Sequence, residues 1–163
     1  MSHKMIDGKA QAQTIHAELR LRVQRLREAG WNPHLISVTV SDNTAVAIYT
    51  RNQQRACADV GIGFENRIYP CETTQLEMLA VIQSLNVDPR VTGIILQRPV
   101  ASSLDLFRLQ NSIHPSKDVE GMTASNIGNI VYGNAALGPC TSLASVALLR
   151  STGLALKGLE VVV

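Results

Sequence analysis

The sequence has no long apolar run, no strong excess of one charge and no paired cysteines. No apolar segment approaches the roughly 20 residues that a membrane-spanning helix needs, and the first eight residues lack the apolar stretch of a secretory signal. The formal net charge is only +2, and lysine and arginine are scattered along the chain rather than grouped on one face. These absences predict a cytoplasmic protein with no membrane segment and no nucleic acid partner.

Cysteine and histidine are too few and too scattered for a disulfide framework or a metal centre. Cys57, Cys71 and Cys140 form neither an even set nor a Cys-x-x-Cys pair, so we expect three reduced thiols. The four histidines make no recognisable ligand set, so no metal is predicted. None of them lies in a partner motif that would make Cys140 a nucleophile.

The chain does contain a regular alternation of amphipathic and β-branched segments. Apolar residues constitute 45% and charged residues 17% of the sequence, which is typical of a globular domain. Helical spacing predicts helices over about 9–29, 45–60, 73–85, 104–110 and 142–151. In the third of these, Thr74 and Glu77 indicate the helix start, and the predicted buried stripe is Leu76, Leu79, Ile82 and Leu85. Short β-branched runs predict strands over 35–40, 67–69 and 91–97. This order predicts a three-layer α/β domain with a mainly parallel sheet.

Two regions depart from this alternation. Residues 113–140 show little periodicity and many turn-forming residues, and we expect a long irregular segment of the kind that is often functional. The sequence ends on Leu159-Glu160-Val161-Val162-Val163, which predicts the first strand of another unit. We therefore expect one domain over 1–150 and the truncated start of another over 151–163.

In parallel sheets, ligands bind beyond the carboxyl ends of the strands, which draws attention to the segments after Val40 and Leu96. Tyr49 and Gln53 are four residues apart and share one face of the second predicted helix. Gln97 ends the most apolar strand. Each of the three has a structural alternative, as a core aromatic, a solvated helix residue or a strand cap. Composition and spacing alone give an α/β domain with a cleft and leave the reaction open.

Six short segments then stand in a recognisable order along nearly the whole chain. They are Ile6-Asp7-Gly8-Lys9, Tyr49 through Cys57 with Val60-Gly61, Leu85-Asn86 with Val91 through Pro99, Ile113 through Gly121, Asn126-Ile127-Gly128, and Pro139-Cys140-Thr141. In this order they resemble the bifunctional methylenetetrahydrofolate dehydrogenase/methenyltetrahydrofolate cyclohydrolase family. The resemblance implies a folate-binding catalytic domain over 1–150 and, over 151–163, the beginning of a truncated Rossmann domain for NADP or NAD. It implies no cofactor that this chain alone could bind. It also implies a homodimer for the full-length protein.

The resemblance assigns roles to the matching residues. Tyr49 is expected to stack on the folate ring system, Gln97 to position the reacting region, and Glu120 to bind the pterin edge. A flat heterocycle suits an aromatic face, and a carboxylate can accept two N–H donors. The catalytic set is then Tyr49, Gln53 and Gln97. The substrate-binding set is Tyr49, Gln97, Pro99, Asp118 and Glu120, and Thr141 is expected to contact the cofactor.

The chain also departs from the family pattern at its chemical centre. The family motif Tyr-x-x-x-Lys ends here in Gln53, which has no titratable ammonium for the cyclohydrolase step. The family's aspartate before glycine is Glu120, and Arg98 replaces an apolar residue beside the site. The family's Gly-Asp-x-Pro-Ala-Ser turn reads Ser41 through Val46 here, without the glycine, the proline or the serine.

Three hypotheses follow from these departures. The chain is part of a dehydrogenase/cyclohydrolase relative, or a divergent paralogue that binds folate without cyclohydrolase activity, or a non-catalytic α/β domain retained for assembly. We favour kinship with the first and expect the second to describe the chemistry.

Overall fold

A computed structural model describes residues 5–160 and 162, and these contain six helices and three strands. In chain order they are α1 Gly8–Glu28, β1 His34–Thr39, α2 Thr44–Val60, β2 Gly63–Ile68, α3 Gln75–Val87, β3 Gly93–Leu96, α4 Leu106–Ser112, α5 Ala124–Val131 and α6 Cys140–Ser151. Helices and strands alternate up to α4. The predicted α/β class is therefore confirmed.

The three strands form one parallel sheet in the order β2-β1-β3. Because the strands are parallel, β1 and β3 end at the same edge, and the segments that follow Thr39 and Leu96 lie side by side there. The outer edge of β3 is covered by a loop, since the Ile94 amide donates to the Lys117 carbonyl at 2.8 Å. This contact brings the 117–121 segment to the carboxyl end of the sheet.

One face of the sheet carries the main apolar core. Ile36, Val38 and Val40 alternate along β1 and are completely buried. They pack with residues of α3, β3 and α4, of which the largest buried members are Met78, Ile82, Leu85, Ile94, Leu96, Leu109 and Ile113. Each such side chain stabilises the fold by about 1.5–3 kcal/mol relative to an exposed position. This core fixes the positions at which β1 and β3 end.

The opposite face of β1 is more polar and lies against α2. Ser37 and Thr39 point to this side because successive strand residues alternate. The Asn43 side chain caps α2 by accepting from the Ala45 amide at 2.9 Å, and Gly61 ends the helix with a φ of 85°. Helix α1 packs on α2 on this side, whereas α3 and α4 cover the other face. Helices therefore flank the sheet on both faces, as expected for three layers.

Four sequence-based expectations need correction. Strand β2 begins at Gly63 rather than Arg67, because it pairs with β1 along its entire length. Leu76 is exposed, and Met78 takes the predicted buried place on α3. The expected irregular stretch over 113–140 contains helix α5, and helix α4 ends two residues later than predicted, at Ser112.

The predicted strand over 159–163 is not present among the described residues 159, 160 and 162. Val161 and Val163 lie outside the described residues. The division at residue 150 stays a prediction. None of the helices in the described part of the chain is long and apolar enough to cross a membrane.

Candidate functional site

A cleft of about 250 Å³ opens at the carboxyl ends of β1 and β3. It lies where the loop after β1, the start of α2 and the loop after β3 meet, which is where parallel α/β sheets usually bind ligands. Its lining residues are Asn43, Ala45, Val46, Tyr49, Leu96, Gln97, Arg98, Pro99 and Glu120. Four of the residues predicted from the sequence, Tyr49, Gln97, Pro99 and Glu120, are thus brought together by the fold.

Gln97 forms the floor of this cleft and is almost completely buried. Its Nε2 donates to Ser37 Oγ at 3.0 Å and to Gln53 Oε1 at 2.7 Å. These two bonds use both N–H groups of the amide, so Oε1 is the atom of Gln97 that can accept from a ligand. Gln53 does not line the cleft, and it affects the cleft by holding the side-chain amide of Gln97.

Tyr49 lies on the wall of the cleft and is 58% exposed, so it is not a core residue. Its ring stands one helical turn before Gln53 on α2, as the four-residue spacing predicts. An exposed aromatic face beside buried polar groups suits a flat heterocycle. Whether Tyr49 stacks on a ligand stays a prediction at this point.

Glu120 brings a carboxylate into the same cleft. Its Oε2 atom is buried and has no hydrogen-bond partner in the described part of the chain. Burial raises the pKa of the Glu120 carboxyl, an effect that Arg98 opposes and the Asp118 charge reinforces. A buried acceptor without a partner costs free energy unless a ligand supplies the missing donor. Glu120 is therefore poised to receive N–H groups.

The loop that carries Glu120 is held by a close backbone contact. Gly121 has a φ of 64°, and a Cβ atom at this position would lie 2.5 Å from the backbone carbon of Gly138. Only glycine fits this approach without moving one of the two segments. The contact joins the Glu120 loop to the segment that leads into α6.

Asp118 and Lys117 lie in this loop but hold it in place rather than line the cleft. Asp118 is almost completely buried, and its Oδ2 accepts from the Thr123 amide at 2.7 Å and from Asn126 Nδ2 at 2.9 Å. The Lys117 ammonium donates to the carbonyls of Leu85 and Asp88 at 2.8 and 2.7 Å. Direct contact of Asp118 with a substrate stays a prediction, whereas its contact with the start of α5 is evident.

Thr141 lies in the first turn of α6, and its side chain is exposed. Its expected contact with a cofactor stays a prediction. The neighbouring Cys140 donates from Sγ to the Val119 carbonyl at 3.3 Å. Burial raises the pKa of the Cys140 thiol, and the charges of Glu120 and Asp118 raise it further. These effects oppose thiolate formation and argue against a nucleophilic role.

Ser37 and Gln110 support lining residues of the cleft, and neither was predicted from the sequence. Ser37 holds Gln97 from β1, and Gln110 holds Arg98, whose Nη2 donates to Gln110 Oε1 at 3.0 Å. A polar residue on an otherwise apolar strand was the available signal for Ser37. Gln110 is almost completely buried on α4, and nothing in its local sequence indicates this.

Comparison with known proteins gives a consistent result. A family model described as the tetrahydrofolate dehydrogenase/cyclohydrolase catalytic domain matches residues 6–120. Among curated relatives, the bifunctional protein FolD 2 of Mesorhizobium japonicum is 50% identical over 160 residues, covering 98% of this chain and 52% of that protein. The bifunctional protein FolD of Moorella thermoacetica is 38% identical over 163 residues, covering all of this chain and 58% of that protein.

Solved structures agree with the sequence relatives. The bifunctional FolD enzyme of Campylobacter jejuni superposes with a TM-score of 0.91 at 33% identity, covering 93% of this chain and 54% of that one. The Trypanosoma brucei FolD structure, a complex with NADP cofactor and inhibitor, gives 0.89 at 29% identity, covering 97% and 55%. The chain thus spans about half the length of the proteins that it matches.

Proposed function

Because this chain belongs to the tetrahydrofolate dehydrogenase/cyclohydrolase family, we propose that its cleft binds a tetrahydrofolate derivative in one-carbon metabolism. The observation that carries the proposal is the meeting of Tyr49, Gln97 and Glu120 in one cleft at the carboxyl end of the sheet. A pterin has a flat ring for Tyr49 and a row of N–H groups on its pyrimidine edge for the Glu120 carboxylate. The Oε1 atom of Gln97 accepts from an N–H group of the reduced ring.

Dehydrogenase activity with NADP or NAD is proposed only for the whole protein, since this chain spans about half the length of its relatives. The segments after β1, β2 and β3 contain no glycine-rich turn that opens a helix, the feature that dinucleotide sites use to approach a pyrophosphate. We therefore assign to the sheet and its cleft the binding and orientation of the folate and the exclusion of water from it.

Cyclohydrolase activity is not part of the proposal. Gln53 occupies the position of the family lysine, and an amide neither carries a charge nor transfers a proton near neutral pH. Its Oε1 is also committed to Gln97 at 2.7 Å. This arrangement favours a second candidate function, in which the protein binds a folate or a similar ligand without hydrolysing it.

The cellular setting belongs to the same proposal. Three cysteines without a disulfide partner support a cytoplasmic location. Membership of the family supports a homodimer and a contribution to purine biosynthesis in the whole protein. Folate is the expected small-molecule partner.

Calorimetric titration with tetrahydrofolate tests the proposal on wild type and on Tyr49→Ala. Tyr132→Ala is a matched control, because Tyr132 is 88% exposed and lies away from the cleft. We expect saturable binding to wild type and to Tyr132→Ala, and binding at least about tenfold weaker in Tyr49→Ala, since stacking on an aromatic ring contributes about 1–3 kcal/mol. Equal affinity in all three proteins would place the ligand elsewhere, and no binding to wild type would refute the proposal.

A further inference from the structure

Three buried side-chain atoms in the described part of the chain have no hydrogen-bond partner, and all three belong to one neighbourhood. They are Gln110 Nε2, Asp118 Oδ1 and Glu120 Oε2. Arg98 contacts Gln110 and lines the same cleft as Glu120, and Asp118 lies two residues before Glu120 in the same loop. Such unpartnered atoms are rare in native proteins, so a group of them next to a cation needs an explanation.

Arg98 separates two neighbouring clefts. On one side it faces the cleft that contains Tyr49, Gln97 and Glu120. On the other side it borders a second cleft of about 550 Å³ together with Gln110. One N–H of Nη2 donates to Gln110 Oε1 at 3.0 Å, which orients the guanidinium plane. A guanidinium has five N–H groups, so the remaining donors of Arg98 are available to a ligand.

Arg98 and Glu120 carry opposite charges and line one cleft, yet they do not pair with each other in the described part of the chain. In this cleft, Glu120 presents a hydrogen-bond acceptor on one side and Arg98 presents a donor on the other. The pair is therefore complementary to a ligand edge that carries donors next to an acceptor.

We propose that Arg98 is a specificity-determining residue that, together with Glu120, recognises the 2-amino-4-oxo edge of a pterin. Glu120 accepts from the 2-amino and N3–H groups, and Arg98 donates to the oxygen at position 4. Gln110 is a positioning residue that holds the guanidinium. This inference rests on the proposed function and deepens it, since it states which pteridines the cleft accepts.

The assignment predicts discrimination against 4-amino pteridines. Replacing the oxygen at position 4 with an amino group turns an acceptor into a donor that faces the N–H groups of Arg98. The same change removes the hydrogen on N3 that Glu120 accepts. A site built to hydrogen-bond one group discriminates against an analogue that leaves the polar groups of the site unpaired. Loss of a hydrogen bond to a charged group costs about 1.5–3 kcal/mol, or more than tenfold in affinity.

The test compares tetrahydrofolate with tetrahydroaminopterin, which carries an amino group at position 4 and consequently has no hydrogen on N3. Dissociation constants are measured by calorimetry for wild type, Arg98→Leu, Arg98→Lys and the control Arg51→Leu, which removes an exposed arginine on α2 outside the cleft. We expect wild type and Arg51→Leu to prefer tetrahydrofolate at least about tenfold. Arg98→Leu should show a preference for tetrahydrofolate at least about fivefold smaller than that of wild type, and the part that depends on Glu120 and N3–H should remain. Arg98→Lys should lose less of the preference because it keeps one donor.

The outcomes separate this inference from the function on which it rests. If Arg98→Leu binds tetrahydrofolate and keeps the wild-type preference, the role of Arg98 is refuted and the proposed function stands. If wild type binds both ligands equally, the role of Arg98 is again refuted. If wild type binds neither ligand, both proposals fall together. Circular dichroism of each variant confirms that the fold is retained.

Discussion

The amide nitrogen of Gln97 lies 2.7 Å from the amide oxygen of Gln53, and this single contact fixes which atom Gln97 can offer to a ligand. The second N–H of the same nitrogen donates to Ser37 at 3.0 Å. A lysine in place of Gln53 would present a donor to this nitrogen instead of an acceptor. Relative to the family lysine, Gln53 therefore lacks an ammonium, and it also sets the orientation of the buried Gln97 amide.

Replacing Gln53 with leucine should both destabilise the protein and weaken folate binding. The variant leaves one N–H of the buried Gln97 amide without an acceptor, which costs about 1–3 kcal/mol. Urea unfolding measures the stability, and calorimetry with tetrahydrofolate measures the affinity. Gln54→Leu is the control, because Gln54 is the exposed neighbour on the same helix. Equal losses of stability and affinity in both variants would contradict this role of Gln53.

We expect Gln53→Lys alone not to restore full cyclohydrolase activity. The new ammonium would face the N–H groups of Gln97, and the turn over Ser41–Val46 lacks the glycine, proline and serine of the family pattern. The decay of methenyltetrahydrofolate absorbance, corrected for spontaneous hydrolysis, measures the activity in the whole protein. Robust hydrolysis by this single variant would overturn the expectation.

The buried carboxyl of Glu120 should make stability depend on pH. Because burial raises its pKa above the unfolded value of about 4.3, the folded state holds this proton more tightly than the unfolded state. The contribution of Glu120 to stability therefore falls as pH rises from about 4 through the folded pKa. Glu120→Gln should be more stable than wild type at pH 7, and the difference should vanish near pH 4.

Urea unfolding at several pH values measures this difference, with Glu18→Gln on the exposed face of α1 as the control. If the stability advantage of Glu120→Gln over wild type grows as pH falls, the pKa of the Glu120 carboxyl is lowered rather than raised on folding.

Gly121 and Gly128 should respond in opposite directions to replacement by alanine. A Cβ at Gly121 meets the Gly138 backbone at 2.5 Å in a left-handed conformation, so Gly121→Ala should cost about 2 kcal/mol or more and weaken folate binding by displacing Glu120. A Cβ at Gly128, inside α5, meets nothing within 4 Å, so Gly128→Ala should stabilise the protein by about 0.5–1 kcal/mol. Thermal melting of both variants tests this contrast. A Gly121→Ala protein as stable as wild type would show that the loop can move away at little cost.

Local signals predicted much of the fold. Thr74 and Glu77 form the capping box that their spacing indicates, and the apolar run that contains β3 is buried as expected. The position of the cleft also followed from sequence, because it depends only on parallel strands and on which segments follow them.

Contacts between distant residues could not be foreseen in the same way. The bond from Gln97 to Ser37 spans 60 residues, and Arg98 meets a glutamine that local pattern would place on a solvated face. Helix α5 was missed because its own sequence favours turns. The Thr123 cap and the Asp118 carboxylate, which also accepts from Asn126, hold its first turn in place.

The double contact of Lys117 has a consequence for the thermodynamics of ligand binding. Lys117 stands three residues before Glu120. Its ammonium donates to the carbonyls of Leu85 and Asp88 at the end of α3. A loop anchored in this way is already ordered before the ligand arrives, so association does not have to reduce its conformational entropy. Loosening Lys117 would therefore appear mainly as a less favourable binding entropy, with the enthalpy of the contacts to Glu120 largely preserved.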